Sequence, residues 1–348
     1  MAAQTSEPAV HPESTHPGPI MGLMAGYWQV KILLAAVEHD VFTALSGRSA
    51  TSAELAADLG LVPRGANDLL VGLRHLGLLE SADGGFANSA VADAFLVRGR
   101  PAYLGGYLRF CDQELNPAWD GLATALRTGQ PQNHAAVEGN PYDTLYRDAD
   151  ATDGFLDSMD LLTTPIGLAM SRFDWSRYKS FVDVGGARGN FAHQVVSANP
   201  HLTGAVFDLP PLEPAFTRHM AGLGGVAPSI TFHGGDFFTD RLPEADVLVF
   251  GHVLHNWGVE DRVRLLKNAY DSLRPGGAVF VYDPMAGGEQ PSMHGVLAGL
   301  AMLVWSRGGH EYSVQELHGW LAQAGFRPET AEVADLHDDV LVVGHKDR

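Results

Sequence analysis

Phe181-Val182-Asp183-Val184-Gly185-Gly186-Ala187-Arg188-Gly189-Asn190-Phe191 is the stretch that decides the fold of this 348-residue chain. A short apolar, β-favouring run ends beside an acid, passes through a glycine-rich turn and enters a helix-compatible run at Phe191. Strand, turn and helix in that order form a ligand-binding turn, because residues without a Cβ let backbone N–H groups come close to a ligand. The dinucleotide fingerprint Gly-x-Gly-x-x-Gly needs a glycine two positions before Gly186, where this chain has Val184. Asp183, at the strand end, would repel a pyrophosphate and attract a cationic or amino-bearing ligand. The turn therefore points away from a nicotinamide dinucleotide.

Outward toward the C-terminus, the pattern alternates. Strand-like runs at Phe181–Val184, Ala205–Phe207, Ile230–Phe232, Val247–Phe250, Ala278–Tyr282 and Val340–Gly344 are separated by helix-compatible runs such as Val259–Leu273 and Val314–Ala324. This predicts an α/β fold with a mainly parallel sheet, helices on both faces and a ligand at the carboxyl ends of the strands. Asp208 follows the second run, nineteen residues after Gly189, where a carboxylate can accept from ribose hydroxyls. Asp236 follows the third run in Gly234-Gly235-Asp236-Phe237-Phe238, placed to accept from an adenine amino group with Phe237 against the ring. Singly, each acid reads as a solvated carboxylate or a helix cap. Three at successive strand ends read as a site.

Toward the N-terminus, residues 1–19 lack periodicity and read as a disordered tail. From Ile20, an apolar face through Leu23, Trp28, Ile32, Leu33, Val37 and Phe42 predicts a helix that can serve a partner subunit. Thr51-Ser52-Ala53-Glu54 is a capping-box signature, Pro63 opens a further helix, and Ala82-Asp83-Gly84-Gly85 turns a small hairpin. Residues 20–100 thus predict a winged helix, followed by a helical connector at 101–172 that walls a pocket and an α/β domain at 173–348. A DNA-binding regulator is the competing reading of the first domain. Seven acidic residues against five arginines between Asp40 and Arg100 favour a dimerisation module instead.

The net charge of −18 argues against nucleic acid or an anionic membrane as partner. Cys111 is the single cysteine, so there is no internal disulfide and the expected compartment is a reducing one, the cytoplasm. The longest apolar run, Val296–Trp305, is broken by Gly299 and is too short for a membrane span. His252 and His255 lack a third ligand nearby, so no metal is expected.

The series VDVGGARG, FDLP, GDFF and GHVLHNW resembles the class I S-adenosylmethionine (SAM)-dependent small-molecule O-methyltransferases, among them plant caffeic acid, bacterial polyketide and acetylserotonin-type enzymes. The resemblance runs from about Ile20 to near the end of the chain. It implies a Rossmann-like methyltransferase sheet behind an N-terminal, mostly helical winged-helix dimerisation domain, a homodimer, SAM as cofactor with S-adenosylhomocysteine (SAH) as product, and a hydroxyl acceptor. Asp183, Gly185, Gly186, Gly189, Asp208, Leu209, Asp236, Phe237 and Gly251 are the implied cofactor residues. His255 matches the catalytic histidine, with Asp283 and Glu311 as its flanking acids, and Asp112, Phe155, Met159, Met302 and Trp305 match acceptor positions.

The chemistry is consistent with that match. A phenol, with a pKa of about 10, is a poor nucleophile at neutral pH, whereas a histidine of pKa about 6.5 is ready as a base. On its own, one histidine of 16 reads as structural or exposed. Two departures stand out: Asn256 replaces the aspartate common after the histidine, which alters a local hydrogen bond, and Tyr312 stands where many relatives have arginine, which predicts a different substrate pocket. Some relatives look like non-methylating catalysts that use SAM in hydroxylation or pericyclic reactions. The intact His255, Asp283 and Glu311 set argues for methyl transfer.

Overall fold

The structure is a computed structural model describing residues 16–100, 102–133, 142, 145, 146, 149–226, 229–285, 293–336 and 339–348. Most of the expected tail, residues 1–15, lies outside the described residues. The chain forms two compact units that meet in sequence between Leu108 and Arg109, inside the expected connector.

In the first unit, helix α1 (Gly18–Glu38) starts two residues before the expected Ile20, because Pro17 and Pro19 supply the fixed backbone angle of a first turn. Helices Val41–Ala44, Ser52–Asp58 and Pro63–His75 follow, then strands β1 (Leu79–Ala82) and β2 (Gly85–Asn88) and helix Ala90–Phe95. The Thr51 hydroxyl and the Glu54 carboxylate form the full capping box. The hairpin turn carries Asp83 at φ +49° and Gly84 at φ +78°, the two left-handed positions that match strand twist. Phe42, Leu45, Leu55, Leu70, Leu73 and Leu79 fill one core.

The arginines of this unit are largely engaged by their own chain. Arg48 pairs with Asp58 at 2.6 Å, Arg98 with Asp40 at 2.8 Å and Arg100 with Asp93 at 2.6 Å. Arg74, on the helix that would read DNA, donates to the Ser81 hydroxyl at 3.1 Å and lies over the Phe86 ring. Helix α1 is different in character: Ile20, Leu23, Tyr27 and Trp28 are exposed. Among the described residues it is the one helix long and apolar enough, by length and composition alone, to cross a membrane. Three glycines and scattered polar residues interrupt its apolar run, so it does not stand out as a continuous stretch in the sequence.

The second unit holds a seven-stranded sheet: β3 (Ser180–Val184), β4 (Thr203–Asp208), β5 (Ile230–Gly234), β6 (Ala245–Gly251), β7 (Leu273–Asp283), β8 (Arg327–Ala331) and β9 (Val340–His345). Its order is β5-β4-β3-β6-β7-β9-β8, parallel from β5 to β7, with β9 antiparallel to both neighbours. The chain runs outward from β3 to β5 and then returns to place β6 on the other side of β3. The crevice at the carboxyl ends of β3 and β6 is therefore the topological switch point. Both sheet faces are covered, with Val182 and Val184 in one core and Phe181 in the other.

Two features escape the sequence pattern. Arg327-Pro328-Glu329-Thr330-Ala331 is too polar to read as a strand, yet it forms the sheet edge, where charge and proline are tolerated. Leu273, expected to end a helix, begins β7, and the register shift opposite Ala245–Val247 absorbs Arg274-Pro275-Gly276-Gly277.

Candidate active site

The glycine turn is built for close approach. Gly185 has φ +77°, and a Cβ there would stand 2.8 Å from Val253 Cγ2. A Cβ on Gly186 would stand 2.4 Å from Asp183 Oδ2, so glycine is what lets the acid face the turn. Asp208 Oδ2 accepts the Ala187 N–H at 2.8 Å, and Oδ1 accepts the Leu209 N–H at 2.7 Å, tying the end of β4 to the turn after β3. Asp236 sits in a local turn in which its Oδ1 accepts the Phe238 N–H at 2.8 Å.

These groups line one cleft of roughly 1040 Å³, its open mouth included. Asp183, Gly185, Gly186, Asp208, Leu209, Asp236, Phe237 and Gly251 line it, as do Phe155 and Met159. Four aspartates face it, counting Asp160, and among the described residues no lysine or arginine does. A pyrophosphate would meet four acidic side chains there and no described lysine or arginine. A sulfonium and an ammonium group, a ribose diol and an adenine amino group match the acceptor-rich walls, with Phe237 and Trp257 as the aromatic surface. The residues present thus fit the cofactor that the motif series implies.

Beside the cleft lies the histidine assembly. Leu254–Asn256 forms a short helical turn after β6 and carries His255, which is 8% exposed. Its Nδ1 is 2.9 Å from Glu311 Oε1 and 3.7 Å from Asp283 Oδ1. Glu311 is thus the direct partner, and Asp283 acts by charge. A carboxylate accepts only, so Nδ1 carries the proton toward Glu311 and Nε2 keeps a lone pair. Burial raises the Asp283 pKa, against the charges of His255 and His252 and the bond from Tyr312. His255, Asp283 and Glu311 do not line the cleft itself. His255 adjoins it through His252, whose ring centroid is 5.6 Å away.

Not every expected residue joins the cleft. Gly189 turns away from it, and a Cβ there would meet Met220 at 2.9 Å, so its role is packing of the helix Asn190–Ala198. Trp305 reaches the cleft wall only through an edge-to-face row, 5.4 Å to Phe110 and 5.2 Å from Phe110 to Phe155. Met302 lies one helical turn beyond Gly299, where a Cβ would stand 3.9 Å from Glu311. Asp112 lies in a π-helical turn, with Asn116 Nδ2 at 3.5 Å. None of Asp112, Met302 and Trp305 lines the cleft.

The two departures resolve in different ways. Tyr312 does not line the cleft: it is fully buried and its hydroxyl donates to Asp283, so it acts behind the histidine assembly and not in an acceptor pocket. Asn256 uses both ends of its amide, donating to the His252 carbonyl at 2.9 Å and accepting from the Tyr142 hydroxyl at 3.2 Å. An ionised aspartate has no donor for the first bond.

Several cleft residues were not singled out as ligand contacts by the sequence. Tyr142, Tyr146, Asp160, Thr163, Asn190, His252 and Trp257 also line the cleft, Asp160 and Thr163 from one helix, Ala149–Met170. His252 was legible only as a neighbour of His255. Its burial disfavours the charged ring, but the Asp339 carboxylate at 2.9 Å, together with Asp283 and Glu311, raises its pKa. Burial raises the Asp160 carboxyl to about 6, against the charge of Arg188.

Asp183 gives a pH test of the site. Burial first, and the Asp208 charge second, push its carboxyl up to about 8. Between an unfolded value of about 4 and that folded value, the native state holds a proton that the unfolded chain has released. Stability of the ligand-free protein therefore falls as pH rises through this window. Asp183→Asn is expected to flatten the decline of the thermal midpoint between pH 6 and 8, measured by calorimetry. A decline as steep as in wild type would remove Asp183 as its source.

Comparison with known proteins agrees with this geometry. The model of an O-methyltransferase domain matches residues 119–327, and that of an O-methyltransferase dimerisation domain matches residues 21–98. The tetracenomycin polyketide synthesis 8-O-methyl transferase TcmO of Streptomyces glaucescens is 41% identical over 97% of this chain and 99% of its own length. The N,N-dimethyltransferase OxyT of Streptomyces rimosus is 38% identical over 94% of this chain and 96% of its own. The crystal structure of human N-acetylserotonin methyltransferase in complex with SAM, 25% identical, superposes with a TM-score of 0.84 over 97% of this chain and 100% of that one. With the winged-helix unit, the switch-point cleft and the family matches in agreement, this chain belongs to the O-methyltransferase family.

Proposed function

We propose that the protein is a SAM-dependent O-methyltransferase that methylates a hydroxyl of an aromatic or polyketide-like small molecule and works as a cytoplasmic homodimer. The observation that carries this reading is the His255 Nδ1–Glu311 Oε1 contact of 2.9 Å beside an acid-lined cleft without a lysine or arginine among its described residues. SAM supplies the methyl group as an electrophile when bound. Asp208 and Asp236 would accept from the ribose and adenine of bound SAM, and Asp183 would lie toward its charged end. His255, with Nδ1–H held by Glu311, takes the hydroxyl proton at Nε2 as the acceptor oxygen attacks. Asp283 and Glu311 then stabilise the imidazolium. Phe155 and Met159 supply the apolar wall on the acceptor side. Homodimer formation is supported by the dimerisation-domain match and by the exposed apolar face of α1.

The likeness to OxyT favours a second reading, an amine acceptor, because a histidine base can equally take a proton from nitrogen. The test is incubation of the protein and SAM with a panel of hydroxynaphthoates and polycyclic phenols, some carrying amines. The expected result is SAH in step with a product heavier by one methyl-for-hydrogen exchange, located on oxygen by NMR. A methyl on nitrogen selects the second reading. Conversion of acceptor without SAH would sink both.

A further inference from the structure

Arg262 is one of the largest fully buried side chains of the described residues, and the reaction as derived above gives it no task. It enters from the first turn of the helix Val259–Ser272. Its Nε donates to the Leu254 carbonyl at 2.9 Å, and one terminal nitrogen reaches both the His255 carbonyl at 3.4 Å and the His310 carbonyl. The guanidinium lies over the Tyr312 ring, 4.5 Å from its centroid, and 5.0 Å from that of Trp320. Tyr312 in turn donates to Asp283.

One side chain thus touches the backbone that carries His255, the residue just before Glu311, and the ring that holds Asp283. The Leu254 carbonyl accepts the Trp257 N–H at 3.1 Å within the turn, and the planar guanidinium adds a further donor to it and to the His255 carbonyl, tying the turn to one rigid group. The two segments also meet directly: the His310 N–H donates to the His255 carbonyl at 3.0 Å, and a Cβ on Gly309 would stand 2.9 Å from that same oxygen. A space filler here would be apolar, because complete burial of a guanidinium is costly unless its donors are used.

We propose that Arg262 is a positioning residue for methyl transfer, a bracket that holds the His255 turn against the Glu311 loop and, through Tyr312, fixes Asp283 behind them. This rests on His255 being the base. The bracket sets the tautomer and aim of the imidazole and leaves the cofactor cleft, to which Arg262 contributes no wall, unchanged.

The test uses the full chain with SAH bound and its histidines labelled with ¹⁵N. In wild type the His255 Nδ1 proton is expected as a downfield resonance, assigned by its disappearance in His255→Ala. Arg262→Met, which keeps length and loses every donor, is expected to broaden that resonance beyond detection. Its SAH dissociation constant by calorimetry should stay within about threefold of wild type. Arg262→Gln, which keeps a planar donor but spans one carbonyl in place of three, is expected to broaden it as well and serves if the methionine variant does not fold. An unchanged resonance in either folded variant would overturn the bracket. A large loss of SAH affinity would overturn it too, showing that Arg262 supports the fold at large. Full turnover in His255→Ala would instead remove the base while leaving the bracket's geometry measurable, so the two failures are distinguishable.

Discussion

His255→Ala is expected to lower kcat by about 10²–10⁴-fold while the SAM dissociation constant stays within a few-fold of wild type. The size follows from the chemistry: without a base, the acceptor must lose its proton to water, and a phenol of pKa about 10 is almost wholly protonated at neutral pH. The selectivity follows from the structure, because His255 is buried beside the cleft and is not one of the residues lining it. The substitution also strips Glu311 of its 2.9 Å partner, so part of any stability loss comes from a buried carboxylate left without its donor. His255→Asn separates the two effects, since its amide can still donate toward Glu311 and has no basic nitrogen. Both variants should release SAH at the same low rate in a stopped assay with acceptor. Wild-type turnover in either would remove His255 as the base.

Asp208→Ala should weaken SAM binding by about 10–100-fold. Hydrogen bonds to a charged group contribute about 1.5–3 kcal/mol, and each 1.4 kcal/mol is about tenfold in affinity. The carboxyl has two duties. It is positioned to accept from a diol, and it already accepts the Ala187 and Leu209 N–H groups that shape the rim of the cleft. Burial pushes it up to about 6, against the pull of those two bonds, so its ionised form predominates at neutral pH. Asp208→Asn keeps the shape and one acceptor oxygen and should fall between alanine and wild type. Calorimetric titration with SAM reads the series directly, and an alanine variant that binds as tightly as wild type would break the ribose assignment.

The parts of the site legible in the sequence are those bound to strand ends. Asp183, Asp208 and Asp236 each follow an apolar run, and a parallel sheet brings successive carboxyl ends to one edge, so three positions far apart in the chain become neighbours by rule. The capping box at Thr51 and the hairpin at Asp83-Gly84 were equally local, each set by a few adjacent residues. The acceptor side was less legible. Asp112, Met302 and Trp305 fall on helices whose Met and aromatic residues look the same whether they face a cleft or a core, and the cleft does not include them. The surroundings of Tyr312 were not legible for a related reason. Its place in the chain marks it as unusual, but packing against Arg262, remote in the chain, and Trp320, on the helix that follows, accompanies its inward bond to Asp283.

Through the family resemblance the sequence also pointed to His255 and its two carboxylates; by itself it determined the two-part chain, the alternating strand and helix order, and the glycine turn with its acid. Those follow from periodicity, turn chemistry and charge at fixed local spacing. The tertiary structure alone decided that Glu311 and not Asp283 holds His255 directly, that four aspartates face a cleft without a described lysine or arginine, and that Arg262 spans three backbone carbonyls around His255. Each of these depends on residues from different elements meeting at distances of 2.5 to 3.7 Å, set by how the helices and loops pack on the sheet and left open by spacing along the chain.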